Sequence, residues 1–87
     1  MPTIIKRSGK EEDFDIEKVK HSIAAASDEL KRPFNVSDLN RLARCLEELL
    51  KGKEKITSRE ISIYLIGLMH LEGHPELAES YINGGRQ

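Results

Sequence analysis

At 87 residues, the chain has room for one hydrophobic core and little for a deep catalytic cleft, which favours a binding role. Its hydrophobic share of 38% and charged share of 33%, with Phe14, Phe34, Tyr64 and Tyr81 as the aromatic residues, suit a soluble helical domain packed on aliphatic side chains. The net charge of -1 lacks the basic excess of a non-specific nucleic-acid binder, Cys45 alone excludes an internal disulfide and a thiolate zinc site, and without a signal-like or membrane-spanning run the cytoplasm is the expected location.

Residues 3–7 and 10–14 read as two short strands around Ser8-Gly9. A two-residue hairpin turn there would set Arg7 opposite Lys10 and Ile5 opposite Glu12, and a longer turn would change that register. Asp15 is suited to cap a first helix, because its carboxylate can accept from first-turn N–H groups. Ile16, Val19, Ile23, Ala26 and Leu30 then recur at helical spacing, and Lys31-Arg32-Pro33 ends the run, since proline disfavours helical geometry in the residue before it.

A second helix is expected from Asn35 or Ser37, with Leu39, Leu42, Ala43, Leu46, Leu49 and Leu50 inward and Gly52 as its stop. The connector Lys53-Glu54-Lys55-Ile56 has room for a short third strand. Thr57-Ser58-Arg59-Glu60 is a capping-box pattern, and Ile61, Tyr64, Leu65, Leu68 and Met69 form the inward stripe of a third helix. Gly73 stops it; Pro75 suits the first turn of a fourth, which turns Leu77, Ala78, Tyr81 and Ile82 inward. Three apolar pairs spaced at five straddle the caps as hydrophobic staples: Phe14 with Val19, Phe34 with Leu39 and Ile56 with Ile61.

The chemistry concentrates at the front. Lys6 and Arg7 precede the glycine turn and Lys18 follows the first cap, so three cations and a helix N-terminus can converge on phosphate. Within residues 1–20 five cations are matched by five acids, a balance suited to a compact anion. Each residue also has a plain reading: Lys6 and Arg7 as edge-strand charges, Lys18 as a lysine lying along the apolar stripe, Glu11-Glu12-Asp13 as a solvated hairpin face. His70 and His74 are spaced at four, but Gly73 falls between them, which disfavours a shared metal. No nucleophile-base, paired-acid or Walker-type arrangement is visible, so catalysis has no candidate machinery.

Four blocks occur in order over nearly the whole chain: Ile5-Lys6-Arg7-x-Gly9, Phe14-Asp15-x-x-Lys18-Val19, Ile56-Thr57-x-x-Glu60-Ile61 and Gly73-His74-x-x-x-Ala78-x-x-Tyr81-Ile82. In this the chain resembles the ATP-cone domain, the nucleotide-sensing module of many ribonucleotide reductases and of a related repressor. The resemblance implies an α+β, mainly α fold: a four-helix bundle capped by a small three-stranded sheet, over residues 1–83, with 84–87 as a flexible tail. It implies ATP or dATP as an effector that is not consumed, with Mg2+ as a companion of the phosphates. Carried over by position, the nucleotide site comprises Ile4, Lys6, Arg7, Glu12, Asp15 and Lys18, with Ser58 and Ser62 from the start of helix 3. Controlled self-association, or control of a reductase-type partner protein, would be the output. Two departures are visible: Ser62 stands where some members place a larger polar residue, and no catalytic domain or zinc ribbon follows in this sequence. A docking module with the same fold but no nucleotide response is the alternative; a small DNA-binding protein is disfavoured by the charge.

Overall fold

The first turn is set by Gly9, whose φ of 88° lies in the left-handed region that glycine adopts without strain. The Gly9 N–H donates to the Lys6 carbonyl and the Lys6 N–H to the Lys10 carbonyl, both at 2.8 Å. The loop therefore holds three residues, Arg7-Ser8-Gly9, rather than two. β1 (Thr3–Ile5) and β2 (Glu11–Asp13) pair antiparallel with Ile4 opposite Glu12 and Ile5 opposite Glu11. This corrects the two-residue turn by one position, and a slip of one exchanges the faces of the hairpin. Glu12 thereby joins the face that carries Ile4.

The computed structural model describes residues 2–31 and 34–84. β1 is the middle strand of a three-stranded sheet of order β2-β1-β3, with β3 (Lys55–Thr57) parallel to it and Ile56 beside Ile4. Glu12, Ile4 and Ile56 thus form one row across the sheet; Ile4 and Ile56 are buried while the Glu12 side chain is only partly covered.

Four helices complete the chain: α1 (Ile16–Asp28), α2 (Val36–Leu50), α3 (Ser58–Leu71) and α4 (Pro75–Gly84). α1 and α3 each pack against both α2 and α4. Their shared core centres on Ile23, Leu42, Leu46, Leu50, Leu65, Met69 and Leu77. The staple residues Phe14, Val19, Ile56 and Ile61 are buried in that core, and Phe34 and Leu39 pack against it. Cys45 is half-buried beside the same cluster.

Several boundaries differ from the expectation. α1 stops at Asp28, leaving Leu30 outside the helix with its N–H on the Ser27 carbonyl. The buried Ser27 hydroxyl accepts from the Phe34 N–H at 2.6 Å, and the Ala26 carbonyl accepts from the Ser80 hydroxyl at 2.6 Å, so tertiary bonds occupy the last turn. Arg32 and Pro33, read as part of the stop, lie outside the described residues. Leu49 and Ile82 are exposed rather than inward, because Leu46 with Leu50, and Leu77 with Ala78, define the buried arcs of their helices. α4 runs through Gly84, one residue into the segment expected as tail; residues 85–87 lie outside the described residues. At the end of α3, Gly73 takes φ 82°, its N–H donates to the His70 carbonyl, and the His74 N–H donates to the Met69 carbonyl at 2.7 Å, a Schellman stop.

Candidate functional site

β2 leads into α1, and β3 into α3, with one or no residues between strand and cap, so two helix N-termini open beside the sheet. Asp15 caps α1 by accepting from the Glu17 N–H at 2.9 Å. Thr57 caps α3 by accepting from the Glu60 N–H at 3.0 Å, while Glu60 accepts from the Thr57 N–H at 3.1 Å. A pocket of about 220 Å³ lies between these starts. The sheet side supplies Ile4, Lys6 and Glu12; α1 with its cap supplies Asp15, Lys18, Val19 and Ser22. α3 supplies Ser58, Ile61, Ser62 and Leu65, and Tyr81 comes from α4. The floor is apolar where Val19, Ile61 and Leu65 are buried, and the polar groups stand around it.

The strongest electrostatic feature is a shared carboxylate. Glu12 Oε1 lies 3.3 Å from Lys6 Nζ and 3.5 Å from Lys18 Nζ. The hairpin register explains this contact, since Lys6 follows Ile4 by two and so lies on the face that Glu12 joins. Partial burial alone would push the Glu12 carboxyl up, but the hydrogen bond from Lys6 and the charges of Lys18 and Lys6 together hold it below its ordinary range. Deeper in, the hydroxyls of Ser62 and Tyr81 lie 3.3 Å apart and join α3 to α4. The Ser22 hydroxyl turns back on its own helix, donating to the carbonyls of Lys18 and Val19 at 3.1 Å.

Of the eight residues singled out from the sequence, Ile4, Lys6, Glu12, Asp15, Lys18, Ser58 and Ser62 line this pocket. Arg7 does not; it sits on the exposed hairpin turn. Ser22 was missed, although it lies four residues past Lys18 and seven past Asp15, a spacing that sets all three on one helical face. Val19, Ile61, Leu65 and Tyr81 were read as core and are core and pocket wall at once. Two larger depressions, of about 390 and 520 Å³, lie along α2 and the turn after it. Both lack the candidate residues and are lined instead by side chains of α2 and that turn, such as Arg41, Arg44 and Lys51, so chemistry and not volume selects the smaller pocket.

A family model described as the ATP cone domain matches residues 2–84. The chain belongs to that family. Comparison with curated proteins finds no match. ATP cone domains are nucleotide-binding regulatory modules that take ATP or dATP as effectors and are not catalytic units. In this ATP cone the pocket offers what such a ligand asks for: two ammonium groups at one side, two helix N-termini, an apolar floor, and carboxylate and hydroxyl groups within the same space. Among the described residues no group of three or more His, Cys, Asp or Glu side chains is gathered to hold a metal, and no helix is long and apolar enough to cross a membrane.

Proposed function

We propose that this ATP cone senses ATP or dATP at the pocket between the sheet and the starts of α1 and α3, and that occupancy controls its association with a second copy or with a reductase-type partner. The observation that carries the reading is the convergence of Lys6 and Lys18 on one point, 3.3 and 3.5 Å from the same Glu12 oxygen, at the mouth of an apolar-floored pocket. Two ammonium groups so close together are held by an anion, and a phosphate chain can take that place with charge-assisted bonds. Arg7, next along the turn from Lys6, is assigned to the outer phosphates through its planar fork.

The α1 and α3 N-termini favour negative charge nearby. The pocket is smaller than the roughly 300–1,000 Å³ of a typical ligand site, so the base and sugar would occupy it while the triphosphate lies across the open mouth. Asp15 keeps acceptor capacity beyond its cap bond, and Ser58 and Ser62 can donate or accept, which suits the amine of adenine and the sugar hydroxyls. Ile4 and the apolar floor would meet the base. Magnesium would ride on the phosphates, since the described residues gather no ligand set for it.

On this reading the nucleotide is a signal that stays intact, in keeping with the regulatory character of the family. The test is a melting series with ATP, dATP, GTP and AMP, with and without magnesium. A ligand at 100 times its Kd adds about 2.7 kcal/mol, a shift on the order of 10 °C for a domain of this size. Flat curves in all four nucleotides would overturn the reading. One feature favours the alternative of a docking module without nucleotide response: Ile63 and Leu71, on α3, are 56% and 81% exposed. Lys6→Ala with Arg7→Ala separates the two, because partner association that is unchanged by that pair and by nucleotide belongs to a docking module.

A further inference from the structure

We infer that Glu12 is a built-in competitor for the polyphosphate, a resident carboxylate that occupies both lysines until a ligand displaces it, and that it thereby sets the affinity of the site. The inference rests on the reading of this pocket as a phosphate site and goes beyond it in assigning Glu12 an opposing role. Three observations carry it. One oxygen, Glu12 Oε1, lies within 3.5 Å of both ammonium groups, so no phosphate oxygen can take that position while the carboxylate stays. The lysines come from different places in the chain, the residue after β1 and the first turn of α1, and the carboxylate joins them across the pocket mouth. The backbone of Glu12 is fixed opposite Ile4 in the sheet, so its side chain is presented to the lysines by the register of the hairpin and not by chance of a mobile loop.

The exchange leaves no charged group without a partner. A phosphate chain gives each lysine a new anionic acceptor, and the Glu12 carboxylate turns to solvent or to a donor on the ligand. The two ammonium groups lie no farther apart than the sum of their distances to Glu12 Oε1, a span one phosphate chain bridges. The lysine side chains are 48% and 67% exposed, so each pair is weak enough to be exchanged by a ligand from water.

Inorganic tripolyphosphate isolates this effect, because it has neither base nor sugar to contact Glu12. Titration calorimetry should show Glu12→Gln binding tripolyphosphate about fivefold more tightly than the wild type, the scale of two exposed ion pairs. Adding Lys18→Gln to Glu12→Gln should remove the gain. In the wild type, the side-chain amine resonances of Lys6 and Lys18 and the carboxyl carbon of Glu12 should shift together along the titration, a measurement that needs no variant. Equal or weaker tripolyphosphate binding by a folded Glu12→Gln protein, or a Glu12 carboxyl signal that stays still while the lysines move, overturns the inference. Wild-type melting in ATP is scored separately. An ATP response without the tripolyphosphate gain leaves the adenine-nucleotide reading standing and removes the competitor; the gain without an ATP response does the reverse.

Discussion

The starts of α1 and α3 are built alike and finished differently. Each follows a strand, each has a buried apolar residue ahead of its cap, Phe14 or Ile56, and each has a buried aliphatic residue five positions on, Val19 or Ile61. Three residues past the cap, α3 carries Glu60, which reaches back to the Thr57 N–H and hydroxyl at 3.1 and 3.0 Å. The equivalent residue in α1 is Lys18, which reaches away to Glu12. The same local architecture closes one helix start on itself and leaves a cation at the mouth of the other. A glutamate there completes a capping box; a lysine there faces the carboxylate of Glu12 instead.

What the two starts share should be the costliest to remove. Phe14→Ala is expected to lose about 3–5 kcal/mol and Ile56→Ala about 2–5 kcal/mol, measured by urea unfolding. Both residues are under 10% exposed and belong to one core, so the two losses should be comparable despite the different caps. What distinguishes the starts is tested by Lys18→Glu. It gives α1 the Asp-x-x-Glu pattern of a capping box, so stability without ligand should stay within about 1 kcal/mol of the wild type. The ligand-linked gain of about 2.7 kcal/mol at 100 times Kd should disappear. A retained nucleotide shift in that variant would show that Lys18 is not part of the site.

The caps themselves should come next. Thr57→Ala is expected to cost about 1 kcal/mol and Asp15→Ala a similar amount, but only the second should also weaken nucleotide binding beyond its effect on folding. Equal loss of ligand response in the two variants would place the difference between the starts somewhere other than the caps.

These two starts were legible because their signals are local: Asp15, Thr57-x-x-Glu60 and the flanking apolar pairs lie within six residues of one another. Gly73 marked the end of α3 for the same reason. The hairpin was legible as a hairpin but not in register, because Gly9 serves equally as the second residue of a tight turn or the third of a longer one, and the backbone bonds of Lys6 decide. That single step moves Glu12 onto the face of Lys6 and creates the shared carboxylate. The early end of α1 was hidden because Ser27 and Ser80 act through bonds to residues 7 and 54 positions away. Tyr81 entered the pocket wall, and Leu49 and Ile82 left the core, through helix packing that spacing along one helix does not specify.

The smallest expected effect separates the starts by the origin of their charge. Glu12 and Glu60 are both held below the ordinary glutamate range, Glu12 against its burial by Lys6 and Lys18, and Glu60 chiefly by the Thr57 N–H and then its hydroxyl. A carboxyl lowered in the folded state contributes stability that is complete above its unfolded value and is lost as pH falls through the folded one. Both contributions should therefore be constant near neutrality and fade only as pH drops below the usual glutamate range. Glu12→Gln and Glu60→Gln should each remove a part of that acid-side slope in thermal melts. Salt then tells them apart. The lysine charges acting on Glu12 are exposed and screened within about 8 Å at physiological ionic strength, so raising salt should shrink the Glu12 share of the slope. The Glu60 share depends on short bonds to Thr57 and should persist. If salt erased both shares equally, the closed start of α3 would be held by diffuse charge rather than by its capping box, and the contrast between the helix starts would fail.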